Sequence, residues 1–176
     1  KGKMYQKRYI IHFFSNSKEF TEEVFIPLFK KLFDIESRVT IRKKKSDLYD
    51  ITIESKILYS YLKEKGFTVG KKAKIANIPH TLPSIYHPNI LAGLLDTDGG
   101  KKGSGFGFTT ASNYLADFCI QMFESLRLPF NYCPWSFNGG VYHQIYIPGK
   151  HMHKLLKAIP IKNKEKIKFI KSKMPR

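Results

Sequence analysis

The sequence predicts an α+β chain built from two copies of one unit. Stretches that alternate apolar and polar residues with period two interleave with stretches whose apolar residues recur at helical spacing. The pattern then repeats. Asp50-Ile51-Thr52-Ile53-Glu54-Ser55-Lys56 lies over Gln144-Ile145-Tyr146-Ile147-Pro148-Gly149-Lys150 at an offset of 94, and Phe14-Ser15-Asn16-Ser17 over Thr109-Thr110-Ala111-Ser112 at an offset of 95. Between the copies, Leu91-Ala92-Gly93-Leu94-Leu95-Asp96-Thr97-Asp98-Gly99 reads as a short apolar helix that ends in two acids.

In the first copy, Tyr5 to Ser15 reads as a strand, with Tyr9, Ile11 and Phe13 on one face and Gln6, Arg8, Ile10, His12 and Phe14 on the other. Ser17 is placed to cap the next helix, whose apolar stripe is Phe20, Val24, Phe25, Leu28, Leu32 and Phe33. Residues 34–36 end it. Arg38 to Arg42 alternates, with Val39 and Ile41 facing the core and Arg38, Thr40 and Arg42 facing outward. Lys43 to Asp47 is a basic hairpin tip. The chain returns over Tyr49 to Glu54, Ile51 and Ile53 inward, Asp50 and Thr52 outward. A helix through Leu58, Tyr61 and Leu62 ends near Gly66, and Gly70-Lys71-Lys72 opens a basic segment. Pro79, Pro83 and Pro88 mark residues 77–89 as a linker between halves 1–76 and 90–176, with Pro88 placed to start the central helix.

The second copy follows the same order. Gly105 to Thr110 is a strand, and Asn113 to Leu126 a helix packed by Leu115, Phe118, Cys119, Met122 and Phe123. Asn131 to Phe137 and Val141 to Ile147 are strands joined by an Asn138-Gly139-Gly140 turn. His151 to Ile159 is a helix, and Lys162 to Lys173 a basic amphipathic one.

The charge is more decisive than the length. Lys and Arg number 31 against 14 acids in 176 residues, a formal net charge of +17, which points to a polyanionic partner and most simply to nucleic acid. A membrane-surface protein would concentrate its lysines on an amphipathic anchor, whereas here they spread along the chain. No run of about 18 apolar residues offers a membrane span, and the N-terminus lacks the apolar core of a signal peptide. An intracellular location follows, with Cys119 and Cys133, which have no CxxC spacing, expected as buried thiols. His151 and His153, two apart on a helix, do not share a face for metal binding.

At the centre, Ala92 and Gly93 let a neighbouring helix approach closely, and Leu91, Leu94 and Leu95 pack around that contact. Gly99-Gly100 stops the helix. Acids at a helix C-terminus gain nothing from its dipole, which is negative there. Their placement predicts a cation shared between Asp98, nearby carbonyls and a further group, and hard oxygen ligands suit Mg²⁺ or Ca²⁺.

This run resembles the signature motif of the LAGLIDADG homing endonucleases, with Leu95 and Thr97 as mild variants, and the resemblance extends more weakly over the whole chain. It implies two pseudo-symmetric αββαββα-type repeats, with antiparallel sheets forming a DNA-binding saddle and helices on the other face. It implies site-specific double-strand cleavage of DNA with a divalent metal, Mg²⁺ with Ca²⁺ or Mn²⁺ able to replace it in binding, and a role in intron or intein mobility. The metal would rest on Asp98, with the Thr97 carbonyl as a further ligand, while Asp96 serves the helix end. Lys101 is best placed to stabilise charge at the scissile phosphate. Lys71, Lys72 and Lys164 match the family's basic residue at the site's edge, and Ser15 and Thr110 its water-ordering polar residue. Outward strand residues would read bases in the major groove: Gln6, Arg8, His12, Arg38, Thr40 and Arg42 in the first half, Tyr132, Ser136, Gln144 and Tyr146 in the second. Lys43, Lys44 and Lys45 would meet phosphate. The family's other member activities, an RNA maturase acting on intron RNA or a DNA-binding protein without cleavage, are the alternative. The offset of 95 puts the first half's equivalent helix end near residue 3. A monomer is expected if that helix lies upstream of Lys1, and a partner chain is needed otherwise.

Overall fold

Alternation in Ile10–Ser15 (β1), Arg38–Lys43 (β2) and Asp47–Glu54 (β3) builds the first sheet, antiparallel in the order β1-β3-β2. The computed structural model describes residues 9–35, 38–43, 47–70, 73–79 and 82–174. The chain divides into two compact units between Lys65 and Gly66.

In the first unit Ile51 and Ile53 of β3 and Leu58 of α2 (Lys56–Glu64) are buried, with Ile11, Phe13, Phe25, Phe29, Ile35 and Leu62 packed against them. Ser17 caps its helix as expected, its Oγ accepting the Phe20 N–H at 3.3 Å. That helix opens with a π-helical stretch, Phe20–Phe25, before α1 (Ile26–Phe33). The i→i+5 bonds of a π stretch break a 3.6-residue stripe. Phe25 and Phe29 therefore turn inward, while the expected stripe members Leu28, Leu32 and Phe33 are exposed. Asp50, expected outward in solvent, is only 1% exposed. It sits on the central strand, between Phe14 of β1 and Thr40 of β2 in the register, and the His12 Nδ1 lies 3.0 Å from its Oδ1.

The second unit repeats this plan with a larger core. Its strands β4 (Gly100–Lys102), β5 (Gly105–Thr110), β6 (Asn131–Phe137) and β7 (Gly140–Ile147) form a sheet ordered β4-β5-β7-β6, so β5-β7-β6 matches β1-β3-β2. Phe106, Phe108, Ile145 and Ile147 cover one side of that sheet. They pack with Leu91 and Leu95 of α3 (His87–Thr97), Phe118, Cys119, Met122 and Phe123 of α4 (Asn113–Ser125), Leu155 of α5 (Met152–Ala158) and Ile170 of α6 (Lys164–Ser172). Ser112 caps α4 as Ser17 caps the first unit's helix, and Ser112 Oγ also donates to the Ala76 carbonyl at 2.6 Å. Burial pushes the Cys119 thiol pKa up. Cys133, expected buried, is exposed because β6 is an edge strand. No helix among the described residues is long and apolar enough to cross a membrane.

Pro88 lies in the first turn of α3 and Gly99 follows its end. A Cβ on Gly99 would sit 2.2 Å from the Leu95 carbonyl oxygen, so only glycine lets the chain double back over the last helical turn. Ala92 is buried, whereas a Cβ on Gly93 would meet no described atom within 4 Å.

The end of α3 is tied to the start of α6. The Asp96 carboxylate, 5% exposed, accepts the Lys162 N–H at 3.0 Å on each oxygen and the Asn163 N–H at 2.8 Å. Asn163 caps α6 through Lys166 N and reaches back to the Asp96 carbonyl at 3.4 Å. An acid that the dipole of α3 disfavours thus serves the positive N-terminus of α6. Burial pushes the Asp96 pKa up, against the pull of the two N–H groups, Lys166 and Lys162.

Two predictions test this packing. Asp96→Asn places an amide N–H against the Lys162 N–H and should cost about 1–3 kcal/mol, read as a lower denaturation midpoint with unchanged helix content. Gly107→Ala should cost roughly 1–3 kcal/mol by overpacking, since its Cβ would lie 2.0 Å from the Ile145 oxygen, whereas Gly100→Ala, with nothing within 4 Å, should leave the thermal midpoint unchanged.

Candidate functional site

The C-terminus of α3 leaves carbonyls without helical partners. Lys166, one turn into α6, fills that need: its Nζ donates to the Leu95 carbonyl at 3.0 Å and the Thr97 carbonyl at 2.8 Å. An ammonium group of the chain itself thus serves two carbonyls of this helix end, apart from the divalent cation expected on Asp98. Burial pushes the Lys166 pKa down, against Asp96, Asp98 and Glu165, whose charges pull it up. The Thr97 hydroxyl donates within its own helix, to Gly93 and Leu94 carbonyls.

Asp98 follows immediately, its backbone N–H on the Leu94 carbonyl at 2.9 Å and its side chain exposed. Among the described residues no three His, Cys, Asp or Glu side chains cluster to hold a metal. Asp98 fits a hard cation of the kind that keeps waters and takes phosphate oxygens as its remaining ligands. The Thr97 carbonyl fits one less well, because an ammonium already occupies it. Lys101, exposed on β4, pairs with Phe106 in the register, and Lys164 is the exposed first residue of α6. Lys71 and Lys72 lie outside the described residues.

Ser15 and Thr110 occupy equivalent strand ends and make equivalent bonds. Ser15 Oγ accepts the Ser17 N–H and Thr110 Oγ1 the Ser112 N–H, each at 3.1 Å. Both hydroxyls thus close the turn that presents the capping serine.

Strand register sorts the proposed base-reading residues. On β7, His143, Ile145 and Ile147 are buried on the helix side, so Tyr142, Gln144 and Tyr146 take the outer face. Pairing puts Asn131, Cys133, Trp135 and Phe137 of β6 on that outer face. Tyr132 and Ser136, expected there, fall on the other side, opposite Ile145 and Val141. The Tyr132 hydroxyl bonds His143 Nδ1 at 2.7 Å, and His143 Nε2 bonds Asn113 Oδ1 at 2.6 Å. With that amide oxygen as acceptor, Nε2 carries the hydrogen and Nδ1 accepts from Tyr132. Tyr146 lies over the glycines of β5 and its hydroxyl accepts from Asn131 Nδ2 at 3.1 Å.

In the first sheet, His12 is exposed and stacks parallel to Phe14 at 5.8 Å. Arg38, Thr40 and Arg42 stand opposite Thr52, Asp50 and Leu48, and Lys43 opposite Asp47. Gln6, Arg8, Lys44 and Lys45 lie outside the described residues.

Sequence reasoning missed Lys166 and Asn163. A signal existed: Asn163, Lys166, Ile167 and Ile170 recur at i, i+3, i+4 and i+7, one helical face. It also missed β4, whose Gly-Lys-Lys has no apolar alternation, and the outer-face half of β6.

No family model matches the sequence, and no curated protein sequence does. Solved structures of the homing endonuclease I-DmoI do match in three dimensions. Mesophilic variants of that enzyme superpose with a TM-score of 0.67 at 16% identity, over 93% of this chain and 87% of theirs. I-DmoI in complex with DNA and Mn gives 0.60 at 16%, over 97% and 84%. A variant bound to its target DNA in the presence of Mg gives 0.67 at 18%, over 91% and 85%. With an antiparallel sheet in each unit and the helix α3 capped by Asp98, the chain has the fold of the LAGLIDADG homing endonucleases.

Proposed function

We propose that the protein is a site-specific endonuclease of double-stranded DNA that hydrolyses phosphodiesters with a divalent metal. The observation that carries this is the exposed Asp98 carboxylate at a helix end whose carbonyls Lys166 already satisfies. The fold is that of I-DmoI, whose complexes hold DNA with Mn, Mg or Ca. Asp98 would hold Mg²⁺, with waters and a phosphate oxygen completing the shell and Thr97 left to Lys166. Held there, a divalent ion would supply polarisation of the phosphate, activation of water and stabilisation of the leaving oxygen. Lys101, Lys164, Lys71 and Lys72 contribute positive charge to the phosphates flanking the cut. Ser15 and Thr110 are assigned the ordering of water, besides closing the turns before their capping serines. His12, Arg38, Thr40 and Arg42 from the first unit and Gln144 and Tyr146 from the second read base edges, with Gln6 and Arg8 assigned the same role. Lys43 and Lys44 meet phosphate. Cutting both strands takes a second acid.

A second reading rests on the net charge of +17, which nucleic-acid binding uses whether or not a pair of acids completes a cleavage site. A protein that binds DNA or intron RNA through the same basic surface needs no such pair. Structured RNA outcompeting duplex DNA for the protein would favour it.

On a duplex selected from a randomised pool, Asp98→Asn should bind within about twofold of the unaltered protein and cleave on the order of a hundredfold more slowly or worse. Gel-shift and single-turnover cleavage assays measure the two quantities. Cleavage at an unaltered rate would remove Asp98 from the site.

A further inference from the structure

The outer face of the second sheet is nearly free of charge, in a chain of net charge +17. Following the pairing across β4, β5, β7 and β6, its described positions carry glycine, threonine, glutamine, asparagine, cysteine and aromatic residues. Lys102, at the β4 edge, is its one charged residue. No arginine stands on it, and arginine is the usual reader of guanine. Towards the hairpin the face becomes aromatic. Trp135 stacks on Tyr142 with ring centroids 4.9 Å apart, Phe137 lies 6.1 Å from Trp135, and Trp135 and Phe137 are 45% and 56% exposed. Thr109 and Gln144 pair across β5 and β7 in the middle of the face.

We propose that this face reads an A·T-rich half of the DNA site, taking thymine methyl groups against Trp135, Phe137 and Thr109 and an adenine edge against Gln144. The proposal rests on the DNA-binding function above and specifies what the second unit selects. Amide side chains pair with the adenine N6/N7 edge, and apolar side chains contact the thymine C5-methyl. A face of this composition gains little from guanine or cytosine, whose major-groove edges offer no methyl group. The occupant is argued from charge: the excess of lysine and arginine over acids draws a polyanion, while the aromatic face supplies contacts that phosphate cannot use. The first unit contrasts, since β2 carries Arg38 and Arg42.

The test is selection of binding sites from a randomised duplex pool, with the unaltered protein and with Trp135→Ala in parallel. The unaltered protein should enrich a run of A·T pairs whose preference Trp135→Ala loses. Replacing thymine by deoxyuridine at those positions removes only the methyl group. It should weaken binding by roughly fourfold per contacted methyl, while Trp135→Ala binds the two duplexes equally. Trp135 is the single tryptophan, so its fluorescence should quench more on the thymine duplex than on the deoxyuridine one. Should Trp135→Ala lose its fold by circular dichroism, Phe137→Ala carries the same comparison. An enriched site whose Trp135-sensitive positions are not A·T, or equal binding of the two duplexes, overturns the proposal and leaves DNA binding standing. Failure of the unaltered protein to bind duplex DNA even at low salt overturns the DNA-binding function and this proposal with it.

Discussion

The structure depends on a reciprocal bond between two helix ends of opposite polarity. The C-terminus of α3 is negative and short of donors; the N-terminus of α6 is positive and short of acceptors. Asp96 supplies the acceptors for Lys162 and Asn163, and Lys166 supplies the donors for Leu95 and Thr97. Each helix thus provides what the other lacks. Asp96 is buried and Lys166 half-buried, so loss of either leaves polar partners unsatisfied where water reaches them poorly.

Asp98 owes its position to this arrangement. Gly99 turns the chain tightly behind the last helical turn, and β4 begins one residue later. The carboxylate is left in solvent beside a positive charge that does not compete for it by direct ligation. The sheets then divide the remaining work: the first carries arginine in β2, and the second an uncharged outer face on β5, β6 and β7.

The fold was legible because its signals are local and repeated. Ser17 and Ser112 cap equivalent helices, Ser15 and Thr110 close equivalent turns, and Ile51 and Ile145 are buried on equivalent central strands. What failed to show depends on partners distant in sequence. Asp50 reads as a solvent-facing strand residue and is buried because two strands flank it. Leu28 and Leu32 fit a helical stripe until a π stretch shifts it. Alternation within β6 fits either parity, and only pairing with β7 puts Tyr132 and Ser136 opposite Ile145 and Val141, away from the outer face. The dipole argument pointed to a metal ion on Asp98 and did not show Lys166, whose role required knowing that residue 166 folds back on residues 95 and 97.

The most direct measurement is anomalous diffraction from crystals of the protein bound to a selected duplex with Mn²⁺. The account predicts an anomalous peak bonded to the Asp98 carboxylate and a DNA phosphate oxygen, with Lys166 still on the Thr97 carbonyl. A peak that displaces Lys166 to take that carbonyl, or one located away from Asp98, would contradict it.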